Sequence, residues 1–267
     1  LNTTTPTHRI HSTELHRYVR CDLYLPPGYA ADTGHTYPFV LFNDGQDLPR
    51  MEFAQLLNKL YAENALRPII AVGLHASKNR LREYGTARRA DYKDRGDLAP
   101  AYSRFVLETL LPWLRKRYRL STSASEAGFA GFSLGGLSAI DLVWANPEVF
   151  GAAGVFSGSL WWRSTEVLPN DPDADRIMHD IVQQADRTAA GQRFWFQCGT
   201  LDETEDRNQN GIIDSIDDTL DLIRALREKG TAEQDIRYLE IEGGTHEPAT
   251  WAVAMPDFLG WAFARTE

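Results

Sequence analysis

Ala127-Gly128-Phe129-Ala130-Gly131-Phe132-Ser133-Leu134-Gly135-Gly136 is the stretch on which the reading of this chain turns. An apolar run over 127–132 meets a serine between small neighbours and passes at once into the apolar stretch 134–146. That pattern specifies a buried strand, a tight turn and a helix. The spacing Gly131-x-Ser133-x-Gly135 is the G-x-S-x-G pattern, whose glycines permit a strained backbone and close packing. The Ser133 hydroxyl would then project from the sheet edge at a helix N-terminus, with the N–H of Leu134 facing developing negative charge. A glycine-rich turn with an incidental serine is the bland alternative, and the strand before and helix after weigh against it.

Outward from this turn, short apolar runs alternate with longer stretches of helical period. The runs predict strands over 18–25, 37–43, 68–74, 126–132, 152–157, 193–198 and 236–241. Helices are expected over 51–64, 99–119, 134–146, 173–185, 217–229 and 250–264. Continuous apolar strands suit a mostly parallel sheet buried on both faces, and the alternation suits helices packed on each side. The expectation is an α/β fold in a single domain over 1–267. Residues 77–96, SKNRLREYGTARRADYKDRG, carry charge without period and read as an excursion near the mouth of a site.

The chain has 267 residues with 28 Lys+Arg against 37 Asp+Glu, a formal charge of −9, and 43% hydrophobic residues. An acidic chain offers no cationic stripe for phosphate backbones, so no nucleic-acid partner is expected. No apolar run approaches the ~20 residues that cross a bilayer, so no membrane partner is expected either, and the polar N-terminal stretch points to a cytoplasmic home. Cys21 and Cys198 lie in strand-like apolar runs and read as small buried thiols.

A nucleophilic serine needs a base, and the base needs an orienting acid. His246, in Gly243-Gly244-Thr245-His246-Glu247, follows the last strand and is the candidate base. His179 also follows the serine but falls within a helix. Asp202 stands just past the strand 193–198 and is the candidate acid, with Glu203 and Asp206 as rivals. For the second oxyanion donor besides Leu134, the strand running into Asn43-Asp44-Gly45-Gln46-Asp47 nominates the N–H of Gln46, with Gly45 and Asp47 as neighbours.

Taken together, several segments resemble the putative-esterase family of α/β-hydrolases, which includes carbohydrate esterases of the feruloyl and acetyl xylan type and enterochelin esterases. They are Tyr24-Leu25-Pro26-Pro27-Gly28-Tyr29, Phe42 to Gln46, Arg80 with Glu83-Tyr84, Gly131 to Gly136, Phe156-Ser157-Gly158-Ser159 and Gly243 to His246. The resemblance implies an α/β-hydrolase fold and an ester hydrolase with Ser133 as nucleophile, His246 as base and Asp202 as acid. It also suggests that Arg80 and Glu83 face the site. Trp161 and Trp162, which follow the Ser157-Gly158-Ser159 turn, could wall an acyl or sugar pocket.

Asp206-Arg207-Asn208-Gln209-Asn210-Gly211-Ile212-Ile213-Asp214-Ser215-Ile216-Asp217 has the spacing of an EF-hand calcium loop. Oxygens of Asp206, Asn208, Asn210, the Ile212 carbonyl and Asp217 would surround one point, with Gly211 at the sharp turn. Asp217 stands where a bidentate Glu is usual, and two Asn replace Asp, so weak structural binding of Ca2+ is expected, and no cofactor for catalysis. The loop has no His, and its oxygens suit calcium better than zinc, which argues against a metal-dependent hydrolase.

The expected activity is therefore that of a serine carboxylesterase acting through an acyl-enzyme on a small-molecule or carbohydrate ester, such as a sugar-linked acetyl or feruloyl ester. An acyl transferase would use the same triad, with an alcohol in place of water. A non-catalytic binding module on the same fold would show a broken triad, and here every member has a candidate.

Overall fold

The alternation of apolar runs resolves into one sheet. The computed structural model describes residues 2–32, 34–186 and 191–265. Its eight strands are β1 (Thr7–Ser12), β2 (Arg17–Tyr24), β3 (Phe39–Asn43), β4 (Ile70–Leu74), β5 (Ala127–Phe132), β6 (Ala152–Phe156), β7 (Arg193–Leu201) and β8 (Ile236–Thr245). They lie in the order β1-β2-β4-β3-β5-β6-β7-β8. β2 runs antiparallel to both its neighbours, and every other pairing is parallel. β1 was not expected, because only Ile10 and Ser12 of its six residues are buried. An edge strand with one wet face shows no apolar run.

The period of two in the central strands divides the core into two layers. Phe39, Leu41, Phe129, Val155, Phe194 and Phe196 face one layer, while Val40, Phe42, Phe132, Phe156 and Trp195 face the other. The second layer is covered by α1 (Phe53–Ala62) and the C-terminal helix Pro248–Phe263. On the first layer pack, in chain order, the helix Ala99–Arg104 with its continuation to Arg117, then Leu134–Ala145, Ile177–Gln183 and Asp214–Glu228. With the short α2 (Arg80–Glu83) in the polar excursion, these are α3 (Ala99–Arg104), α4 (Leu111–Arg117), α5 (Leu134–Ala145), α6 (Ile177–Gln183), α7 (Asp214–Glu228) and α8 (Pro248–Phe263).

Several helix bounds differ from the sequence expectation for local reasons. The helix over 99–119 is interrupted by a wider turn at Phe105–Leu110, just before Pro112, which has no N–H to give the preceding turn. Glu52 adopts left-handed backbone, so α1 begins after it, behind a 3-10 turn at Gly45–Met51. Ahead of α6, Asp173 lies in a turn and Arg176 in an isolated bridge with extended backbone, and both side chains make ion pairs. Both cysteines are buried and free, and burial pushes each thiol up to about 12. Among the described residues no helix is long and apolar enough to cross a membrane.

Candidate active site

β5 ends at Phe132 and α5 begins at Leu134, so Ser133 alone makes the turn, with φ 56° and ψ −124°. An L-residue held there stores strain of about 1–3 kcal/mol, which the surroundings must offset. Main-chain bonds do so: Ser133 N–H donates to the Phe156 carbonyl at 2.9 Å, and the Ser133 carbonyl accepts from Gly136 at 3.0 Å and from Ser159 at 3.1 Å. The glycines of the pattern are required by contact. A Cβ on Gly131 would stand 2.3 Å from the Gly135 carbonyl oxygen, and one on Gly135 would stand 2.5 Å from Asp44 Oδ2. From this turn the Ser133 hydroxyl reaches the hydroxyl of Ser159 at 3.3 Å.

The candidate base and acid arrive from two neighbouring strand ends. His246 lies between β8 and α8, with its ring edge-on to Trp251 at 5.6 Å and 81°. Asp202 follows β7, and its side chain is 1% exposed against 39% for His246. Asp202 Oδ2 accepts the Gly199 N–H at 2.9 Å, which leaves Oδ1 buried and unpartnered, 3.9 Å from His246 Nδ1. That separation is an ion-pair contact longer than a hydrogen bond. Burial lowers the His246 pKa from its ordinary value; the Asp202 charge opposes this and the Arg80 charge adds to it.

Ser133, Ser159, Trp161, Asp202, Glu203 and His246 share the lining of one open cleft of about 340 Å3. A larger hollow of about 410 Å3, beside Asp141 and Trp144, contains none of these residues, so volume alone does not mark the site. Glu203 enters the cleft wall beside Ser215, and burial raises its carboxyl above the ordinary range.

Leu134 opens α5, and Gln46 is the second residue of the 3-10 turn that begins at Gly45, positions where the first N–H groups have no acceptor within the helix. The side chain of Gln46 is committed elsewhere: its Oε1 accepts from Ala76 N–H at 2.9 Å, and its Nε2 donates to Asp44 Oδ1 at 3.1 Å. Arg80 grips both oxygens of Asp44 at 2.7 Å and donates to the Phe132 carbonyl at 3.2 Å. Arg80 thus holds the loop after β3 against the elbow. Asn43 completes the brace, giving its amide to the Gly135 carbonyl at 2.8 Å and accepting from the Tyr102 hydroxyl at 2.5 Å.

Two of the expected pocket residues lie elsewhere. Glu83 is buried and paired with Arg17 at 2.8 and 2.5 Å and with Ser77 at 3.0 Å, so its charge is consumed inside the fold. Trp162 is wholly buried under Gly85 and Gly96, while Trp161 lines the cleft. The Arg95 guanidinium lies 5.1 Å from each indole ring. His179 is buried in α6, bonded at Nε2 to the Asp218 carbonyl, and burial pushes its pKa down to about 3.

The calcium-like loop folds on itself. Asp206 accepts the N–H groups of Asn210 and Gly211 at 3.0 and 2.9 Å, and the amides of Asn208 and Asn210 donate to Asp217 Oδ2 at 2.7 and 3.1 Å. The Ile212 N–H donates to the Asn210 side-chain oxygen at 2.8 Å. Among the described residues no three His, Cys, Asp or Glu side chains group as a metal site, so any ion here would rest largely on amide and carbonyl oxygens. Asp214, at the ninth position, pairs instead with Arg207.

Sequence reasoning assigned no role of their own to Asn43, Asp44 or Ser159, and it passed over Trp251. Ser159 stood in a quoted motif, so a chemical question about that turn would have found it. Asn43 and Asp44 likewise stood in a quoted motif, whereas Trp251 acts through distant partners, Ser157 and His246, and carries no local signal.

A family model described as Putative esterase matches residues 12–262. YbbA, an uncharacterised protein of Bacillus subtilis (strain 168), is 24% identical over 254 residues, which is 92% of this chain and 93% of that protein. Among solved structures, a ferulic acid esterase matches with TM-score 0.74 at 18% identity, over 98% of this chain and 99% of that one. The enterobactin esterase FES from Shigella flexneri, solved in the presence of enterobactin, matches with TM-score 0.75 at 20% identity, over 97% of this chain and 58% of that longer chain. At such identities the structural likeness shows the fold, which is that of the α/β-hydrolases.

Proposed function

The chain belongs to the putative-esterase family, and from that premise we propose that it hydrolyses a carboxylic ester through an acyl-enzyme on Ser133. The observation that carries this reading is the strained Ser133 turn opening into the same cleft as His246 and Asp202. Strain kept at one residue by main-chain bonds on both sides is what a positioned nucleophile requires.

In this mechanism His246 takes the Ser133 proton as the hydroxyl oxygen attacks the ester carbonyl, and it returns that proton to the leaving alcohol. Water then repeats the sequence on the acyl-enzyme. Asp202 orients the ring through Nδ1 and steadies the imidazolium; the 3.9 Å contact shortens as the ring charges. The N–H groups of Leu134 and Gln46 hold the oxyanion, and Arg80 fixes the Gln46 loop through Asp44. Trp161 offers an aromatic wall beside the hydroxyls of Ser159 and Ser215 and the Glu203 carboxyl. That mixture favours a small or sugar-linked ester, such as an acetyl or feruloyl ester of a carbohydrate.

A panel of acetyl, butyryl and feruloyl esters, given to the native protein and to Ser133→Ala, tests the reading. Turnover that disappears in the variant is the expected result. Equal turnover in both proteins would remove Ser133 from the reaction.

We propose also that the 206–217 loop binds Ca2+ weakly and so stiffens the segment that carries Asp202. What supports this is the calcium-loop spacing of its oxygen-bearing residues, Asp206, Asn208, Asn210 and Asp217, with Gly211 at the turn.

A further inference from the structure

The hydroxyl partner of Ser133 Oγ in this structure is Ser159 Oγ, at 3.3 Å. Ser159 is 5% exposed and lines the cleft, so its hydroxyl stands at the reacting atom rather than behind it. Its position is fixed by main chain. Ser159 N–H donates to the Ser133 carbonyl at 3.1 Å, and the turn it closes begins at Phe156, whose carbonyl accepts the Ser133 N–H at 2.9 Å. The nucleophile residue is therefore tied to this one turn through both of its own main-chain groups.

The same turn reaches the base. Ser157, with φ 45°, accepts the Trp251 indole N–H on its hydroxyl at 3.0 Å, and Trp251 is the ring that packs edge-on against His246. Ser157-Gly158-Ser159 thus meets the nucleophile at one end and the ring that seats the base at the other.

Resting on the serine-hydrolase reading above, we infer that Ser159 is a further catalytic residue, whose hydroxyl donates a hydrogen bond to Ser133 Oγ while that oxygen carries negative charge. When His246 removes the Ser133 proton, the oxygen keeps one donor during its attack on the carbonyl carbon. In deacylation water adds to the acyl carbon and the bond from that carbon to Ser133 Oγ breaks. The departing oxygen again holds the Ser159 bond until His246 returns the proton. Ser159 keeps its own proton throughout, so the proton balance rests on His246 alone. A hydroxyl beside an oxygen that is twice charged and twice neutralised acts in the transition states and leaves ground-state binding of substrate almost untouched.

The test compares native protein, Ser159→Ala, Ser159→Thr and Ser133→Ala. A fluorophosphonate reports attack by the serine with no deacylation, and burst kinetics with p-nitrophenyl acetate separate acylation from deacylation. Ser159→Ala is expected to slow both steps about 10- to 100-fold, the range of a hydrogen bond to a charged group, with the substrate dissociation constant unchanged. Its melting temperature should stay within about 2 °C of native. Ser159→Thr, which keeps the hydroxyl, should recover most of the rate. Native rates in Ser159→Ala, or a Thr variant as slow as the Ala variant, overturn the inference while Ser133→Ala stays unlabelled. Labelling of Ser133→Ala at the native rate overturns the serine reading itself, and this inference with it.

Discussion

Replacing Asp202 with Asn separates charge from shape at the cleft. The carboxylate oxygen nearest His246 stands 3.9 Å from Nδ1. At an effective dielectric constant near 20, unit charges at that distance attract by about 4 kcal/mol. The His246 ring is 39% exposed, so screening by solvent reduces this to roughly 2 kcal/mol, or about 30-fold in stabilising the imidazolium. A second loss follows from hydrogen-bond direction. The carbonyl of Asn would keep the Gly199 bond now made by Oδ2 while its amide faced Nδ1 as a donor. The ring would then carry its proton on Nε2, the nitrogen that must accept from Ser133, and such a tautomer switch has cost about 10⁴ in kcat where it has been isolated. The expected fall in kcat is about 10³- to 10⁴-fold with KM little changed, measured by steady-state hydrolysis of p-nitrophenyl acetate. Glu203→Gln, which leaves that pairing alone, should stay within about threefold of native on the same small ester. A mild effect of Asp202→Asn beside a severe one of Glu203→Gln would refute the assignment of the acid.

The base should titrate below the ordinary histidine value. Burial lowers the His246 pKa below 6.5, and the neutral ring is the active form, so the acid limb of kcat/KM should have its midpoint below that value. Arg80 contributes to the lowering, so Arg80→Met should move the limb to higher pH whatever it does to the maximum rate; a limb that stays put or falls would contradict this. Asp218 is fully buried between Arg176, at 2.5 Å, and Arg207, at 2.5 Å. Asp218→Ala leaves two guanidiniums short of a partner and should cost about 3–5 kcal/mol, a drop of about 5–9 °C in Tm by calorimetry. A loss below about 2 °C would show the network to be dispensable. Calcium at a hundredfold over its dissociation constant should add about 2.7 kcal/mol of stability through the 206–217 loop. A Tm indifferent to calcium and to chelator would remove the ion from the account.

The sheet and the elbow were legible because both are written locally. Each central strand is a short run of apolar residues, and the Gly131 to Gly135 turn is a contiguous pattern with a steric reason for each glycine. What escaped was set by partners distant in sequence. β1 is a strand because β2 pairs with it, although four of its six residues are not buried. Glu83 lies one turn from Arg80 and shares its charged neighbourhood in sequence, yet it is claimed by Arg17, 66 positions away. Trp161 and Trp162 are adjacent and identical, and only the course of the chain after Ser159 decides which one meets the cleft. α7 begins at Asp214, three residues ahead of expectation, because that part of the calcium-like loop already has helical backbone.

Arg163 and Arg176 pair across an antiparallel bridge, and Ser164 N–H donates to the Asp175 carbonyl at 2.9 Å just inside it. The segment between leaves and rejoins the body of the protein at a single neck. Closing a shorter loop at that neck costs little entropy, since the cost varies only with the logarithm of length. Residues 164–175 therefore behave as an exchangeable cassette: a graft could replace them without rerouting the chain through Trp162 or Ile177. The elbow and the sheet beneath it would be inherited intact, while the contacts that Arg163, Arg176, Arg207 and Asn208 make with residues 172–174 would have to be supplied anew. None of residues 164–175 lines the cleft, so such an exchange would leave the turn that carries Ser133 undisturbed.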